Sequence, residues 1–200
     1  MNLVKPQMRV FVDCEGIPLQ ELGAICVDWD TLQIYSVFLN YCMCPLPETQ
    51  SCAFSRRHIH GLNIDFLQQC HPTSDELITD FYRWIDHLPS DFEYLFFAND
   101  PSMEKKLFPL LRFYDVCLPP WLDRVHLRSH KLAYDAKQYD APLLDKQCVA
   151  STVHSAYNPF PHRRHTATPS QLAMLESGHH CALYDTFECY LYQVFKRLND

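Results

Sequence analysis

Arg9-Val-Phe-Val-Asp-Cys-Glu-Gly-Ile17 is the stretch from which the rest of the chain is read. Val10, Phe11 and Val12 are a short run of apolar, β-prone residues and predict a buried strand. Asp13 and Glu15 close it, two positions apart, and residues i and i+2 of a strand share a face. Two carboxylates side by side at the end of a core strand repel one another unless a cation stands between them. Magnesium or manganese, both suited to oxygen ligands, would fit there. A strand end with two solvated acids accounts for the same residues, so the remainder of the chain has to decide.

Two hundred residues, 48% of them apolar and 20% charged, suffice to bury a core, which excludes a disordered chain. A single domain over residues 1–200 is expected. No run of eighteen apolar residues occurs, and Met1-Asn-Leu-Val-Lys-Pro-Gln7 lacks the apolar centre of a signal peptide. These features predict an intracellular protein, cytoplasmic or nuclear, without a membrane segment. The ten cysteines are scattered through apolar segments. Cys14, Cys26 and Cys189 fall inside predicted strands or helices as small hydrophobes, which suits a reducing compartment. A net charge of −7 does not fit a non-specific nucleic-acid binder. It leaves room for an enzyme that acts on nucleic acid, because clustered carboxylates can be metal ligands and basic patches can be local.

Beyond a turn at Gly16 and Pro18, strands are predicted over Glu21–Asp28 and Leu32–Tyr41, with Asp30-Thr31 as the turn between them. Cys42 to Ser55, rich in Cys and Pro, reads as a loop. From Pro72 a helix is signalled by the capping-box spacing of Thr73 and Glu76 and by Leu77, Phe81, Trp84, Ile85 and Leu88 at helical period. Phe92–Ala98 reads as a fourth strand, buried and parallel to the first. Asp100 and Pro101 then open a helix that runs through Tyr114. A fifth strand or short helix is placed between Trp121 and Leu132, and 134–170 as a long loop with short helical pieces. The last helix spans about Cys181 to Leu198, with Leu183, Phe187, Leu191, Val194, Phe195 and Leu198 on one side. This order predicts an α/β fold, a mixed central sheet flanked by helices, whose strand ends would bring Asp13, Glu15 and Asp100 together.

His180-Cys-Ala-Leu-Tyr-Asp185 opens that last helix. Taken singly, Asp185 is an ordinary solvated helix acid and His180 an ordinary hydrogen-bonding histidine. Taken together, Asp13, Glu15, Asp100 and Asp185 supply four acids for two divalent ions, and His180 has a pKa suited to deprotonating water. Those are the parts of two-metal phosphodiester hydrolysis.

At this point the chain resembles the DEDDh group of 3′–5′ exonucleases, which have a ribonuclease H-like fold. Val12-Asp-Cys-Glu15 matches the group's Asp-x-Glu motif, and Glu21-Leu-Gly-Ala-Ile25 resembles its usual second strand. Ile59-His-Gly-Leu62 resembles the His-Gly-Ile before the first large helix, and His180-x-Ala-Leu-x-Asp185 fits the closing His-x-Ala-x-x-Asp. Gly16, Gly23, Gly61 and Gly178, the four glycines of the chain, fall in or beside these motifs, which points to backbone constraint near a site. Two departures stand out. The middle motif is Ala98-Asn-Asp-Pro-Ser-Met-Glu-Lys105, so the third acid is assigned to Asp100, with Glu104 one turn on as the alternative. Gly16-Ile17-Pro18 replaces the threonines common after Asp-x-Glu.

The resemblance implies a phosphodiester hydrolase that removes nucleotides from the 3′ end of DNA or RNA. It implies that Asp13, Glu15, Asp100 and Asp185 bind two Mg2+ or Mn2+ ions, with His180 as general base. Gly16 and Ile17 would bind substrate, and His60, with Gly61 and Leu62, would line the approach to the terminal nucleotide. Arg163 and Arg164, in the basic group His162–His165, would hold the phosphates of a single strand; Arg56-Arg57-His58 is the other basic group. Cys148, His154, His179 and Cys181 offer a Zn2+ site, although their spacing fits no standard pattern. A weaker similarity is to the Maelstrom domain, with Glu21, His60, His180 and Cys189 in places comparable to its zinc residues. That similarity implies the alternative of a nuclease-like module that binds RNA or protein without cleaving. A zinc-stabilised interaction domain is a third reading.

Overall fold

The computed structural model describes residues 6–16, 19–98, 128–129 and 181–199. The apolar stretch around Phe11 is strand β1 (Gln7–Glu15). It pairs antiparallel with β2 (Glu21–Asp28), in a register that sets Asp13 opposite Gly23 and Glu15 opposite Glu21. Strand β3 (Gln33–Tyr41) adds antiparallel to β2, with an irregularity between Cys26 and Val27. The turn between them is shaped by Asp28, whose Oδ1 accepts the amides of Asp30 and Thr31. Strand β4 (Glu93–Ala98) lies parallel to β1 on its other side, as its unbroken apolar run predicts. A two-residue strand, β5 (Arg128–Ser129), follows parallel to β4 and gives the order β3-β2-β1-β4-β5.

Helices cover both faces, so β1, β2 and β4 each carry apolar residues on both. Met8, Val10, Val12 and Cys14 of β1, with Leu22, Ala24 and Cys26 of β2, pack against helix α3 (Ser74–Asp86) through Leu77, Ile78, Phe81 and Ile85. Phe11 of β1, Ile25 and Val27 of β2 and Phe97 of β4 face the C-terminal helix α4 (Ala182–Asn199) through Leu183, Phe187 and Cys189. Even-numbered β1 positions therefore belong to one layer and odd-numbered positions to the other. Asp13 and Glu15 are odd. The pleat points them to the α4 side.

Helix α3 starts where the capping box places it. The Thr73 hydroxyl accepts the Glu76 amide, and Glu76 accepts the Thr73 amide in return. Trp84 reaches β3 by donating its indole N–H to Ser36 Oγ at 2.8 Å. Leu191 and Val194 of α4 pack at the margin of its core cluster, as their spacing predicts. The side chains of Phe195 and Leu198 lie outside the described residues.

Cys42 to Ser55 is not a loop throughout. Helix α1 (Gln50–Ser55) starts under a Thr49 cap and passes into a π-helical stretch, Arg56–His60, that Gly61 ends at φ 64°. Helix α2 (Ile64–Gln69) follows under an Asn63 cap. Six residues span fewer than two turns, too few for an apolar period to show. These short helices are held instead by a small core of Cys44, Cys52, Leu62 and Leu67, with Tyr41, Ile64 and Phe66 at its margin. The helix from Asp100 to Tyr114 and the long loop of 134–170 lie outside the described residues. So does most of the 121–132 segment, of which Arg128–Ser129 is strand.

Candidate metal centre

Asp13, Glu15 and Asp185 converge. One carboxylate oxygen of each lies within 4.8 Å of the other two. Glu15 is 8% exposed, and the other two acids are half-buried. Three acids so close in a protein boundary repel strongly, and an oxygen-only donor set of this kind fits Mg2+ or Mn2+.

Two features of β2 bring Asp185 to the strand end. Gly23 sits opposite Asp13, and a Cβ built on it would fall 2.6 Å from Leu183 N and 2.7 Å from the Ala182 carbonyl carbon. Only a residue without a side chain lets the start of α4 lie directly on the sheet there. Glu21, wholly buried, then receives the Ala182 amide at 3.4 Å, with Cys181 Sγ 3.8 Å from its other oxygen. A carboxylate at the N-terminus of an eighteen-residue helix satisfies an amide with no partner in the helix and complements the helix dipole. The next turn closes when Asp185 N donates to Cys181 O at 3.0 Å. Asp185 is thereby delivered to β1 by backbone packing.

Further along the same face, Arg9 anchors the far end of α4. Its guanidinium lies 3.5 Å from the centre of the Trp29 ring and donates to Gln193 Oε1 at 3.0 Å. Arg197 also stacks over Trp29 and donates to its carbonyl. The helix is pinned at both ends.

Gly16 follows Glu15 directly at φ 94°, a conformation open to glycine, and Ile17 lies outside the described residues. His60 is wholly buried, and its Nδ1 accepts the Leu62 amide at 3.3 Å. Arg56 does not join a basic surface. It is 3% exposed and clasps Glu48 through Nε and Nη2 at 2.7 and 2.8 Å. A buried guanidinium needs a partner, and Glu48 meets that need inside the protein. The guanidinium holds the Glu48 carboxyl below the usual carboxylate range. Asp100, Glu104, His180, Arg163 and Arg164 lie outside the described residues, as do Cys148, His154 and His179; Cys181 is buried beside Glu21. Of the Maelstrom-like set, Glu21, His60 and Cys189 are each buried.

Sequence reasoning passed over a second cluster, Cys44, Glu48 and Cys52, whose ligand atoms also lie within 4.8 Å of one another. The signal was present as Cys, Glu and Cys at four-residue intervals. Among the described residues no cysteine is joined in a disulfide. Burial pushes Cys44 and Cys26 up to about 12 and Cys42 up to about 11.

No family model matches the sequence, and no curated protein matches it either. By structure, the chain is similar to the nuclease domain of 3′hExo, a DEDDh family member bound to rAMP. The TM-score is 0.58 at 14% identity, over 97% of this chain and 93% of that one. The chain shares the fold of that nuclease domain. A full-length 3′-exonuclease gives 0.58 at 14% identity, over 100% of this chain and 64% of the other. E. coli Exonuclease I in complex with a dA16 oligonucleotide gives 0.51 at 12% identity, over 97% of this chain and 44% of that one. The α/β architecture is thus ribonuclease H-like. Among the described residues no helix is long and apolar enough to cross a membrane.

Proposed function

We propose that the protein is a metal-dependent 3′–5′ exonuclease of DEDDh type. The observation that carries this reading is the meeting of Asp13, Glu15 and Asp185 at the end of β1, from two elements 170 residues apart in sequence. The ribonuclease H-like fold and the His180-x-Ala-Leu-x-Asp185 spacing support it.

In this reading Asp13, Glu15 and Asp185, with Asp100 as fourth acid or Glu104 in its place, hold Mg2+ or Mn2+. When bound, two such ions would lower the pKa of a water and offset charge on the leaving oxygen. His180 takes the proton of the attacking water. The bond from phosphorus to the 3′ oxygen of the preceding nucleotide breaks, leaving a shortened strand with a 3′ hydroxyl and a nucleoside 5′-monophosphate. Gly16, Ile17 and the Gly61–Leu62 turn, held by His60, position the terminal nucleotide. Arg163 and Arg164 hold phosphates of a single strand.

A digestion panel tests the reading. Full-length protein is incubated with 5′-labelled DNA and RNA, single- and double-stranded, with Mg2+, with Mn2+ and with chelator. Stepwise shortening that depends on metal and vanishes in Asp13→Ala and Glu15→Ala is expected. Binding without shortening in every arm identifies a nuclease-like binding module instead. The zinc-stabilised alternative as sole function predicts neither shortening nor strand binding.

A further inference from the structure

We infer that Cys44, Glu48 and Cys52 form a second, structural metal site for a thiophilic dication of the Zn2+ class, with Gln20 completing its shell. This site is separate from the carboxylates at the end of β1, and the proposal does not depend on nuclease activity.

The geometry is that of a prepared buried pocket. Cys44 and Cys52 are each 1% exposed, with their sulfurs 3.3 Å apart. Glu48 Oε1 stands 3.7 Å from each sulfur. Gln20 is wholly buried and drives its amide between them, Nε2 lying 3.3 Å from Cys44 Sγ and 2.9 Å from Cys52 Sγ. Its Oε1 makes no hydrogen bond among the described residues. A buried amide oxygen without a partner is unfavourable. Amide oxygen and nitrogen interchange by a half-turn of the side chain, which would bring a neutral oxygen to the fourth corner of a tetrahedron.

Charge supports the same assignment. Two thiolates and a carboxylate around a dication leave a single negative charge, and the Arg56 guanidinium already bound to Glu48 cancels it. Binding would release the two thiol protons to solvent. A tetrahedral ion with Zn–S of about 2.3 Å needs its sulfurs about 3.8 Å apart, an opening of roughly half an ångström. A disulfide would need them about 2.05 Å apart and would use neither Glu48 nor Gln20. The carboxylate facing both sulfurs and the amide between them therefore favour a metal over a cystine.

The position explains what such an ion does. Gln20 enters β2, Cys44 follows β3, Glu48 and Cys52 flank the start of α1, and Arg56 begins the π-helical stretch. The small core of Cys44, Cys52, Leu62 and Leu67 has few large side chains. An ion there clamps the segment that leads to His60 and Gly61.

The test uses Co2+ as a spectroscopic probe on the full chain, with zinc content measured after purification without chelator. A single equivalent of zinc and an ultraviolet thiolate-to-cobalt charge-transfer band are expected; the carboxylates of β1 and α4 cannot give such a band. The band should disappear in the Cys44→Ser/Cys52→Ser double variant and persist in Cys148→Ser. Glu48→Gln, which keeps both thiols, should weaken Zn2+ binding tenfold or more, roughly the effect of losing a ligand or its support, and decides the matter should the double variant not fold. Absence of the band in wild type, its survival in the folded double variant, or unchanged affinity in Glu48→Gln overturns the proposal. So does a metal-free protein whose intact mass and peptide map show an oxidised Cys44–Cys52 pair.

Discussion

Gly23 of β2 and Leu183 of α4 meet backbone to backbone, with a Cβ at Gly23 placed 2.6 Å from Leu183 N. The contact sets the height of the helix above the sheet at the level of Asp13. Gly23→Ala should therefore act in two ways. The clash is with main chain, which cannot rotate aside, so a loss of about 1–3 kcal/mol is expected from overpacking. Denaturant titration measures it. Nuclease activity should fall further than the population of folded protein, because Asp185 is lifted from its partners.

Asp13→Asn and Asp185→Asn should separate chemistry from stability. Removing one of three clustered carboxylates relieves repulsion. In chelator, the melting temperature of either variant should equal or exceed that of wild type. With Mg2+ present, hydrolysis should fall by about a hundredfold or more, on the order of what losing one charge-stabilising group costs an enzyme. Parallel melts and rate assays check both; a marked destabilisation in chelator would mean the acids serve the fold.

The α3 capping box gives a pH-dependent outcome. Thr73→Ala should cost about 1 kcal/mol through loss of the cap. The Thr73 amide and hydroxyl hold the Glu76 carboxyl below its ordinary value. A carboxyl lowered in the folded state stabilises above its unfolded pKa, and that contribution is lost as pH falls through the folded value. The difference between wild type and Glu76→Gln should thus be present at neutral pH and vanish in acid. Thermal melts across that range measure it.

Phe81 is the centre of the α3 layer. It is 1% exposed, stacks on Trp84 at 5.7 Å and meets Phe38 edge-on at 5.4 Å. Phe81→Ala should destabilise by about 3–5 kcal/mol. Chemical denaturation should show this as an earlier midpoint, with the Asp13–Glu15–Asp185 cluster, on the opposite face of the sheet, retaining its metal response in the protein that stays folded.

Much of this was legible residue by residue. Alternation in β1 put Asp13 and Glu15 on one face, the run from Phe92 to Ala98 marked a buried parallel strand, and Thr73 with Glu76 marked the start of α3. Those features depend on neighbours within a few positions, where periodicity and capping chemistry act directly. Arg56 shows the opposite case: beside Arg57 it reads as surface charge, yet it is buried against Glu48.

What the chain by itself determined is the order of β1 to β4, the two long helices α3 and α4, and the pair of acids at the tip of β1. Only tertiary structure decided that α4 could descend onto Gly23, that Glu21 would hold its first amide, and that Asp185 would reach Asp13. It also decided that Cys44, Glu48, Cys52 and Gln20 share one buried space. Such meetings depend on packing between segments far apart in sequence, where steric fit and the burial of charge choose the partners and no local periodicity records them.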